Sequence, residues 1–371
     1  MTTVLIAFVA ALVASLLLVR SAHARDGQAL DKELDGPQKF HAVPVPRTGG
    51  LAITWGVATA FGVLTLTSPQ DLRAAWWLMV CAAPAFAFGL AEDLLKRIGP
   101  LPRLLATMGS ALLACWLLGA VIVETGIPLL DWVVSFSVFA VALSVFAVAG
   151  IANAVNIIDG FNGLASMCAV IMLAALAYVA YQVGDPLVMT MALAGVGATL
   201  GFFVWNFPAG LIFLGDGGAY FLGFWFAELA LLLLVRNPGE VSPLCPLLIC
   251  IYPVFETLFS IYRRRRRGSS PGQPDGIHLH SLIYRRVLRW AIRDRSTRAM
   301  TRRNSMTSPY LWFLCMLGVI PAMLFWNDTP LIMAALAGFI VFYLALYWRI
   351  VRFRSPGWLH AARRRLLPGR A

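Results

Sequence analysis

Long apolar runs recur along this chain, and they limit its possible folds more than any other feature. Eleven runs can be placed, at about residues 2–20, 49–67, 75–91, 104–123, 132–152, 163–182, 187–205, 217–235, 243–262, 309–326 and 330–350. A run of about 20 apolar residues is long enough to cross a bilayer as a helix. Only 13% of the residues are charged, whereas soluble domains have about a quarter. We therefore predict an all-α, polytopic membrane helix bundle with about eleven transmembrane helices.

The basic residues predict how this bundle is oriented. With eleven spans, alternate loops lie on opposite sides, and 28 of the 30 Lys and Arg residues then share one side. Cytoplasmic loops carry the excess of basic residues, so the N-terminus is predicted outside and the C-terminus in the cytoplasm. The chain is interpreted as one integral membrane domain over 1–371. It has a large cytoplasmic loop at 263–308 and a basic cytoplasmic tail at 351–371.

Two sequence features have simple structural explanations. Ala22-His23-Ala24 is typical of a signal-peptidase site, but no basic segment precedes the first apolar run, so an uncleaved first helix is expected. The six cysteines lie in or beside apolar runs and have no metal-ligand spacing. They are therefore expected to be small buried side chains.

Carboxylates mark the ends of three predicted spans. Glu92 and Asp93 end the third span, Asp159 follows the fifth within the polar stretch 153–165, and Asp216 stands on a glycine-rich turn before the eighth. By the predicted topology all of these ends face the cytoplasm. Solvated helix ends, or an N-cap for Asp216, are the ordinary alternatives. Carboxylates gathered at one depth repel each other unless a cation joins them, and Mg²⁺ prefers such oxygen ligands.

Basic and histidine residues lie on the same predicted side. Lys39 stands in a proline-stiffened loop after the first span, and a run that includes Arg263, Arg264 and Arg265 opens the large loop. Arginine forks can bind phosphate groups, although anchoring on anionic lipid headgroups is the alternative. The pair His278 and His280 is a weak zinc signal, so a polar or phosphate contact is expected instead.

Four motifs, in this order and topology, resemble those of the polyprenyl-phosphate N-acetylhexosamine-1-phosphate transferases, which belong to glycosyltransferase family 4. The second motif is specific and the third nearly so, and the resemblance covers essentially the whole chain. The motifs are Gly89-Leu-Ala-Glu92-Asp93, the stretch from Asn153 to Ala165, Phe213-Leu-Gly215-Asp216-Gly217-Gly218 and His278-Leu-His280.

The resemblance implies a reaction and its partners. A UDP-activated amino sugar would give its sugar 1-phosphate to undecaprenyl phosphate, UMP would leave, and a diphosphate-linked lipid would remain. The resemblance also implies Mg²⁺ or Mn²⁺ as cofactor and a multi-pass enzyme of the bacterial cytoplasmic (inner) membrane, with its active site facing the cytoplasm. Membrane lipids are further partners, nucleic acid is not expected, and a homodimer is left open.

The resemblance also implies residue roles. Asp216 would be the principal metal ligand, and Asp93 would deprotonate or orient the lipid phosphate, with Glu92 beside it. Asp159 would line the nucleotide or metal site and is grouped with the catalytic acids. The expected substrate-binding residues are Asn156, Asn162, Lys39, His278, His280, Arg263, Arg264 and Arg265.

Two positions depart from the usual family pattern. Glu92 replaces the first of two aspartates, and Asn162 replaces an aspartate, so Asn162 cannot act as a base or as a strong metal ligand. These departures, and the lack of a recognisable peptide-binding insert, favour a branch that starts O-antigen or other envelope polysaccharides over the peptidoglycan enzyme. The sugar could be N-acetylglucosamine, N-acetylgalactosamine or a 6-deoxy N-acetylhexosamine.

Two other functions are compatible with the sequence. Intramembrane acids also occur in ion-coupled transporters, although those sites lie near the midplane and not at one rim. A relative that binds polyprenyl phosphate without catalysis would account for Glu92 and Asn162. Release of UMP separates the enzyme from both alternatives.

Overall fold

The computed structural model is a bundle of long helices, as the apolar runs predict. It describes residues 1–24, 30–31, 45–68, 71–266, 268, 277–288, 292, 294 and 296–352. Two strands, β1 (Leu30–Asp31) and β2 (Val45–Pro46), form a short antiparallel pair. The helices are α1 (Thr2–Ala24), α2 (Gly49–Thr67), α3 (Arg73–Leu95), α4 (Pro100–Leu118), α5 (Pro128–Val134), α6 (Ser137–Ile158), α7 (Leu164–Gln182), α8 (Pro186–Asn206), α9 (Gly215–Arg236), α10 (Cys245–Ile249), α11 (Ile251–Arg266), α12 (Leu279–Leu282), α13 (Thr297–Leu324) and α14 (Thr329–Val351).

Ten of the described helices are long and apolar enough to cross a membrane, which confirms the all-α polytopic class. The predicted span at 243–262 is the exception, because it is divided between α10 and α11 at Cys250. Pro253 contributes to this break, since it has no N–H for the carbonyl of Ile249. The outside position of the N-terminus and the cytoplasmic position of the C-terminus stay predictions.

Helix α13 begins earlier than the apolar pattern indicates. It starts at Thr297, inside the predicted 263–308 loop, and Ser296 caps it by accepting a hydrogen bond from Ala299 N at 3.3 Å. The first turns of α13 carry several arginines, which hid them from a search for apolar runs. Before it, the 277–288 segment forms α12 and one π-helical turn at Ile283–Leu288.

Helix α9 is the centre of the bundle. Nearly every residue from Gly215 to Leu233 is buried, and α9 packs against α2, α3, α6 and α7. A helix that is apolar on all sides belongs in such a central position. Its aromatic side chains fill the core, with Trp225 stacked on Phe221 at 5.4 Å between ring centroids. The start of α9 is therefore held in place by its neighbours.

The cysteines agree with their expected structural role. All six carry free thiols, and every one except Cys115, which is partly buried, lies in the interior.

Candidate active site

Asp93, at the end of α3, holds the first turn of α9. Its Oδ1 accepts a hydrogen bond from Asp216 N at 3.0 Å, and its Oδ2 accepts one from Gly217 N at 2.9 Å. The first N–H groups of a helix have no partner within the helix, and a carboxylate there also interacts favourably with the helix dipole. Asp93 therefore fixes the backbone of Asp216, the predicted metal ligand.

Two glycines make this contact feasible. A side chain on Gly89 of α3 would stand 2.7 Å from Gly217 Cα, so no other residue allows the two helices to approach this closely. Gly215 has φ +75°, a conformation that favours glycine, and a Cβ there would lie 2.5 Å from Asp93 Oδ2. The glycine-rich turn thus serves the packing of α3 against α9.

Two arginines bind the Asp216 carboxylate. Arg47 Nη2 lies 3.3 Å from Asp216 Oδ1, and its Nε lies 3.4 Å from Asp93 Oδ1. Arg103, near the start of α4, forms an ion pair with Asp216 Oδ2. The arrangement places two positive forks beside two carboxylates at one end of the bundle, where a phosphate ligand would find both hydrogen-bond donors and positive charge.

Backbone hydrogen bonds hold Arg47 in this position. Phe213 N donates to Pro46 O at 2.9 Å, and Gly49 N donates to Phe213 O at 3.0 Å. The segment that precedes α2 therefore runs beside the segment that precedes α9. This pairing links the positions of Arg47 and Asp216, although the two residues are far apart in sequence.

Asp159 lies just beyond the end of α6 and differs from the other two aspartates. It is partly buried, and its carboxylate forms no hydrogen bond or ion pair with any residue that the structure describes. Burial raises the pKa of this carboxyl group to about 7, although the positive charge of Arg47 opposes the change and the negative charge of Asp93 adds to it. Asp159 thus has an unengaged oxygen pair and a pKa suited to proton transfer near neutral pH.

The polar residues before Asp159 approach α9. Tyr220 donates a hydrogen bond from its hydroxyl to Asn153 Oδ1 at 3.2 Å, and Asn156 interacts with the same hydroxyl. The Arg103 guanidinium lies over the Tyr220 ring at 5.9 Å. Asn156 is therefore next to the cluster of aspartates and arginines, and its substrate-binding role stays a prediction.

The two histidines are buried and stacked on each other, with ring centroids 5.1 Å apart. His280 approaches Gly160, since a Cβ on that glycine would lie 3.2 Å from His280 Nε2. Glu256 fixes the His278 ring, since Glu256 Oε1 lies 3.0 Å from His278 Nδ1. Glu256 Oε2 in turn accepts a hydrogen bond from the Tyr343 hydroxyl at 2.6 Å. The structure thus brings the histidine motif to the stretch that contains Asp159.

Asn162 and Glu92 have their polar groups in other contacts. Asn162 is buried, and its Nδ2 donates to Pro208 O at 3.2 Å while its backbone N–H donates to Asn304 Oδ1 at 2.8 Å. Glu92 Oε2 accepts a hydrogen bond from Ile98 N at 2.7 Å, which closes the turn after α3. The substrate and catalytic roles of these two side chains stay predictions.

The arginine run does not form one surface. Arg263 is buried and donates to the Tyr347 hydroxyl at 3.0 Å, with its guanidinium over the Phe259 ring, so it packs α11 against α14. Arg264 is partly buried and Arg265 is exposed. Lys39 lies outside the described residues. A shared phosphate-binding role for the three arginines also stays a prediction.

Arg47, Arg103 and Glu256 are not among the site residues expected from the sequence. Arg47 shares with Lys39 the proline-stiffened loop on the side where phosphates are expected, but nothing in the spacing of Arg47 and Arg103 predicts that both reach Asp216. Glu256 had one usable signal, because an acid within an apolar run is expensive unless it has a partner.

The donor set is suited to a hard divalent cation. Asp93, Asp159 and Asp216 offer carboxylate oxygens at one end of the bundle, which are the ligands that Mg²⁺ prefers. Among the described residues, no three His, Cys, Asp or Glu side chains already form a closed metal cluster. Mg²⁺ usually retains waters and binds through one or two carboxylates and substrate phosphates. Asp216 and the unengaged Asp159 fit that mode.

Comparison with known proteins gives a consistent result. The model of the family described as glycosyl transferase family 4 matches residues 75–234, which include all three aspartates. The chain is 32% identical over 253 residues to the "probable undecaprenyl-phosphate N-acetylglucosaminyl 1-phosphate transferase" of Bacillus subtilis (strain 168), and the match covers 66% of each chain.

Two further relatives extend the comparison. The undecaprenyl-phosphate alpha-N-acetylglucosaminyl 1-phosphate transferase of Escherichia coli (strain K12) is 26% identical over 256 residues, 67% of each chain. The decaprenyl-phosphate N-acetylglucosaminephosphotransferase of Mycolicibacterium smegmatis (strain ATCC 700084 / mc(2)155) is 31% identical over 282 residues, 65% of each chain. The matched part thus spans about two thirds of these relatives. The chain belongs to glycosyl transferase family 4, among the polyprenyl-phosphate N-acetylhexosamine-1-phosphate transferases, a family of sugar-phosphate transferase enzymes.

Proposed function

We propose that this protein transfers an N-acetylhexosamine 1-phosphate from a UDP-sugar to undecaprenyl phosphate and releases UMP. An oxygen of the lipid phosphate attacks the β-phosphorus of the UDP-sugar. The bond between that phosphorus and the bridging oxygen breaks, and UMP leaves with the bonding electron pair. The product is a lipid-linked sugar diphosphate.

One observation carries this proposal: two arginines and three aspartates meet at one end of a membrane helix bundle. Both reactants are anions, so the site must reduce their repulsion and stabilise the charge that develops on UMP. Preorganised positive groups in a site of low polarity do this efficiently. Arg47 and Arg103 are placed to supply that charge, and Asp93 holds the turn that carries Asp216.

Asp159 is the side chain best suited to handle a proton. Its carboxylate has no partner among the described residues, and burial raises its pKa to about 7. It can therefore accept the remaining proton of the lipid phosphate near neutral pH and increase the charge on the attacking oxygen. Asp93, whose two oxygens already accept backbone hydrogen bonds, is less available for this step.

We include Mg²⁺ or Mn²⁺ in the proposal. Asp216 would hold the cation, which when bound would offset the negative charge of the phosphate groups. His280, which lies against Gly160, would contact the substrate near Asp159. Asn156 would contribute an uncharged polar contact beside Tyr220.

The proposed sugar is N-acetylglucosamine, because the relatives described above are named for that sugar. N-acetylgalactosamine and 6-deoxy N-acetylhexosamines are the alternatives. We place the reaction at the cytoplasmic face of the bacterial inner membrane, where it would start O-antigen or another envelope polysaccharide. This placement follows from the positive-inside rule.

A substrate panel tests the proposal. The purified protein is incubated with undecaprenyl phosphate, Mg²⁺ and one UDP-sugar at a time, and UMP release is measured. We expect release with UDP-N-acetylglucosamine or another N-acetylhexosamine, and none without the lipid phosphate. No UMP from any sugar would reject the transferase and favour a relative that only binds the lipid.

A further inference from the structure

Arg303, in the second turn of α13, is a buried charge without a counter-charge in the part of the chain that the structure describes. Its exposed fraction is only 6%, and its Nε is enclosed and has no hydrogen-bond partner. No carboxylate among the described residues forms an ion pair with it. A charge in this situation is costly, and proteins ordinarily pair it or neutralise it. The family model ends before this residue, at 234.

The aromatic contact that the structure describes for Arg303, with Tyr284, does not remove this cost. Its guanidinium carbon lies 5.8 Å from the centre of the Tyr284 ring. A cation–π contact at that distance recovers only a part of the energy lost when a charged group is taken out of water. The structure therefore retains a positive fork that an anion could pair.

Arg303 is next to the candidate active site. The following residue, Asn304, accepts a hydrogen bond from Asn162 N at 2.8 Å. Tyr284, which lies against Arg303, is tilted against Phe161 at 5.5 Å, and Phe161 meets the His280 ring at 5.4 Å. Arg303 is therefore connected through Tyr284 and Phe161 to the polar stretch 153–165 and to His280.

We propose that Arg303 binds a phosphoryl oxygen of a ligand that enters the candidate site. Its planar fork suits phosphate oxygens, and the ligand would supply the negative charge that no described residue provides. Three sources share this chemistry: the diphosphate of the UDP-sugar, the phosphate of undecaprenyl phosphate, and an anionic lipid headgroup. The naming of the first two sources rests on the proposed function.

Arg302 is a matched control. It is the adjacent arginine on the same helix and is exposed, whereas Arg303 is buried. Arg303→Met and Arg302→Met remove the same charge and keep a similar stem. The thermal unfolding midpoint of each purified variant is measured alone, with inorganic pyrophosphate and with UDP-N-acetylglucosamine. A binding role predicts that Arg303→Met without ligand is at least as stable as the unmodified protein, because an unpaired buried charge has been removed.

The expected result with ligand depends on the source. If the source is the UDP-sugar, neither pyrophosphate nor UDP-N-acetylglucosamine stabilises Arg303→Met. The KM of this variant for the UDP-sugar then rises by about ten- to a hundred-fold, which is the effect of one charged hydrogen bond. If it is the acceptor, the KM for undecaprenyl phosphate rises by that factor instead. If the source is a lipid headgroup, phosphatidylglycerol vesicles raise the unfolding midpoint of the unmodified protein more than phosphatidylcholine vesicles do, and Arg303→Met loses this difference. In each case Arg302→Met behaves like the unmodified protein.

Two results would overturn the proposal. One is an Arg303→Met variant that responds to all of these probes like Arg302→Met. The other is a variant that unfolds at a markedly lower temperature without ligand but keeps its ligand responses, since that would make Arg303 a packing residue. If the unmodified protein releases no UMP, the proposed function fails. The pyrophosphate and vesicle measurements then still decide whether Arg303 binds an anion.

Discussion

The contact between Asp93 and the start of α9 leads to a prediction that separates two roles for this acid. Asp93→Asn keeps the size of the side chain but removes its charge. One oxygen can still accept a backbone hydrogen bond, whereas the new amide nitrogen turns a donor toward the second N–H group. The variant also loses the ion pair with Arg47, whose Nε lies 3.4 Å away.

The size of the effect follows from these contacts. One hydrogen bond to a charged acceptor is worth about 1.5–3 kcal/mol, and a negative charge at a helix N-terminus about 0.3–2 kcal/mol. We therefore expect Asp93→Asn to lower the free energy of unfolding by about 2–4 kcal/mol. The rate of UMP release falls as well, because Asp216 no longer has a fixed position.

The assay compares thermal unfolding in detergent with the rate of UMP release. Glu92→Gln is the control, since Glu92 precedes Asp93 on the same helix but its Oε2 only accepts a hydrogen bond from Ile98 N. This control should lose less stability than Asp93→Asn. An inactive Asp93→Asn variant that unfolds like the unmodified protein would contradict the structural role of Asp93 and support a proton-transfer role instead.

Three further predictions concern other side chains of the site. The rate of UMP release should fall as the pH drops below about 7, because Asp159, with a pKa of about 7, becomes protonated. Asp159→Asn should be slow at every pH and should not show this fall. The same fall in rate in Asp159→Asn would contradict the role of Asp159 as proton acceptor. Asn162→Asp should lower the free energy of unfolding by about 1–3 kcal/mol, since it puts a carboxylate against Pro208 O and loses a hydrogen-bond donor. Thermal unfolding measures this, and an unchanged unfolding midpoint would contradict the prediction. Glu256 acts through its 3.0 Å contact with His278 Nδ1, so the double variant Glu256→Gln/His278→Gln should lose no more of the rate than His278→Gln alone. A double variant in which the two single losses add would contradict this.

The sequence predicted the all-α class well because each membrane span leaves a strong local signal. An apolar run of fixed length needs no information about its neighbours. The division of one span at Cys250 was missed, since Pro253 within an apolar run does not determine whether a helix kinks or breaks. The early start of α13 was missed because its first turns are basic.

The candidate site was predictable in part. Topological parity placed Asp93 and Asp216 at the same end, and the hydrogen bond between Asp93 Oδ1 and Asp216 N confirms that they meet. Parity cannot tell which oxygens are already engaged, so it could not separate Asp93 from the unengaged Asp159. The pairing of Arg103 with Asp216 depends on how α4 packs beside α9, and no local pattern encodes such packing.

In the proposed reaction the protein transfers a sugar 1-phosphate and not a sugar alone. The most direct test uses UDP-N-acetylglucosamine labelled in its β-phosphate, with undecaprenyl phosphate and Mg²⁺, and follows both the label and the nucleotide product. We expect the label to move into the lipid product while unlabelled UMP is released. Labelled UDP, with no label in the lipid, would contradict it, because the bond to the sugar would then have broken instead of the diphosphate bond.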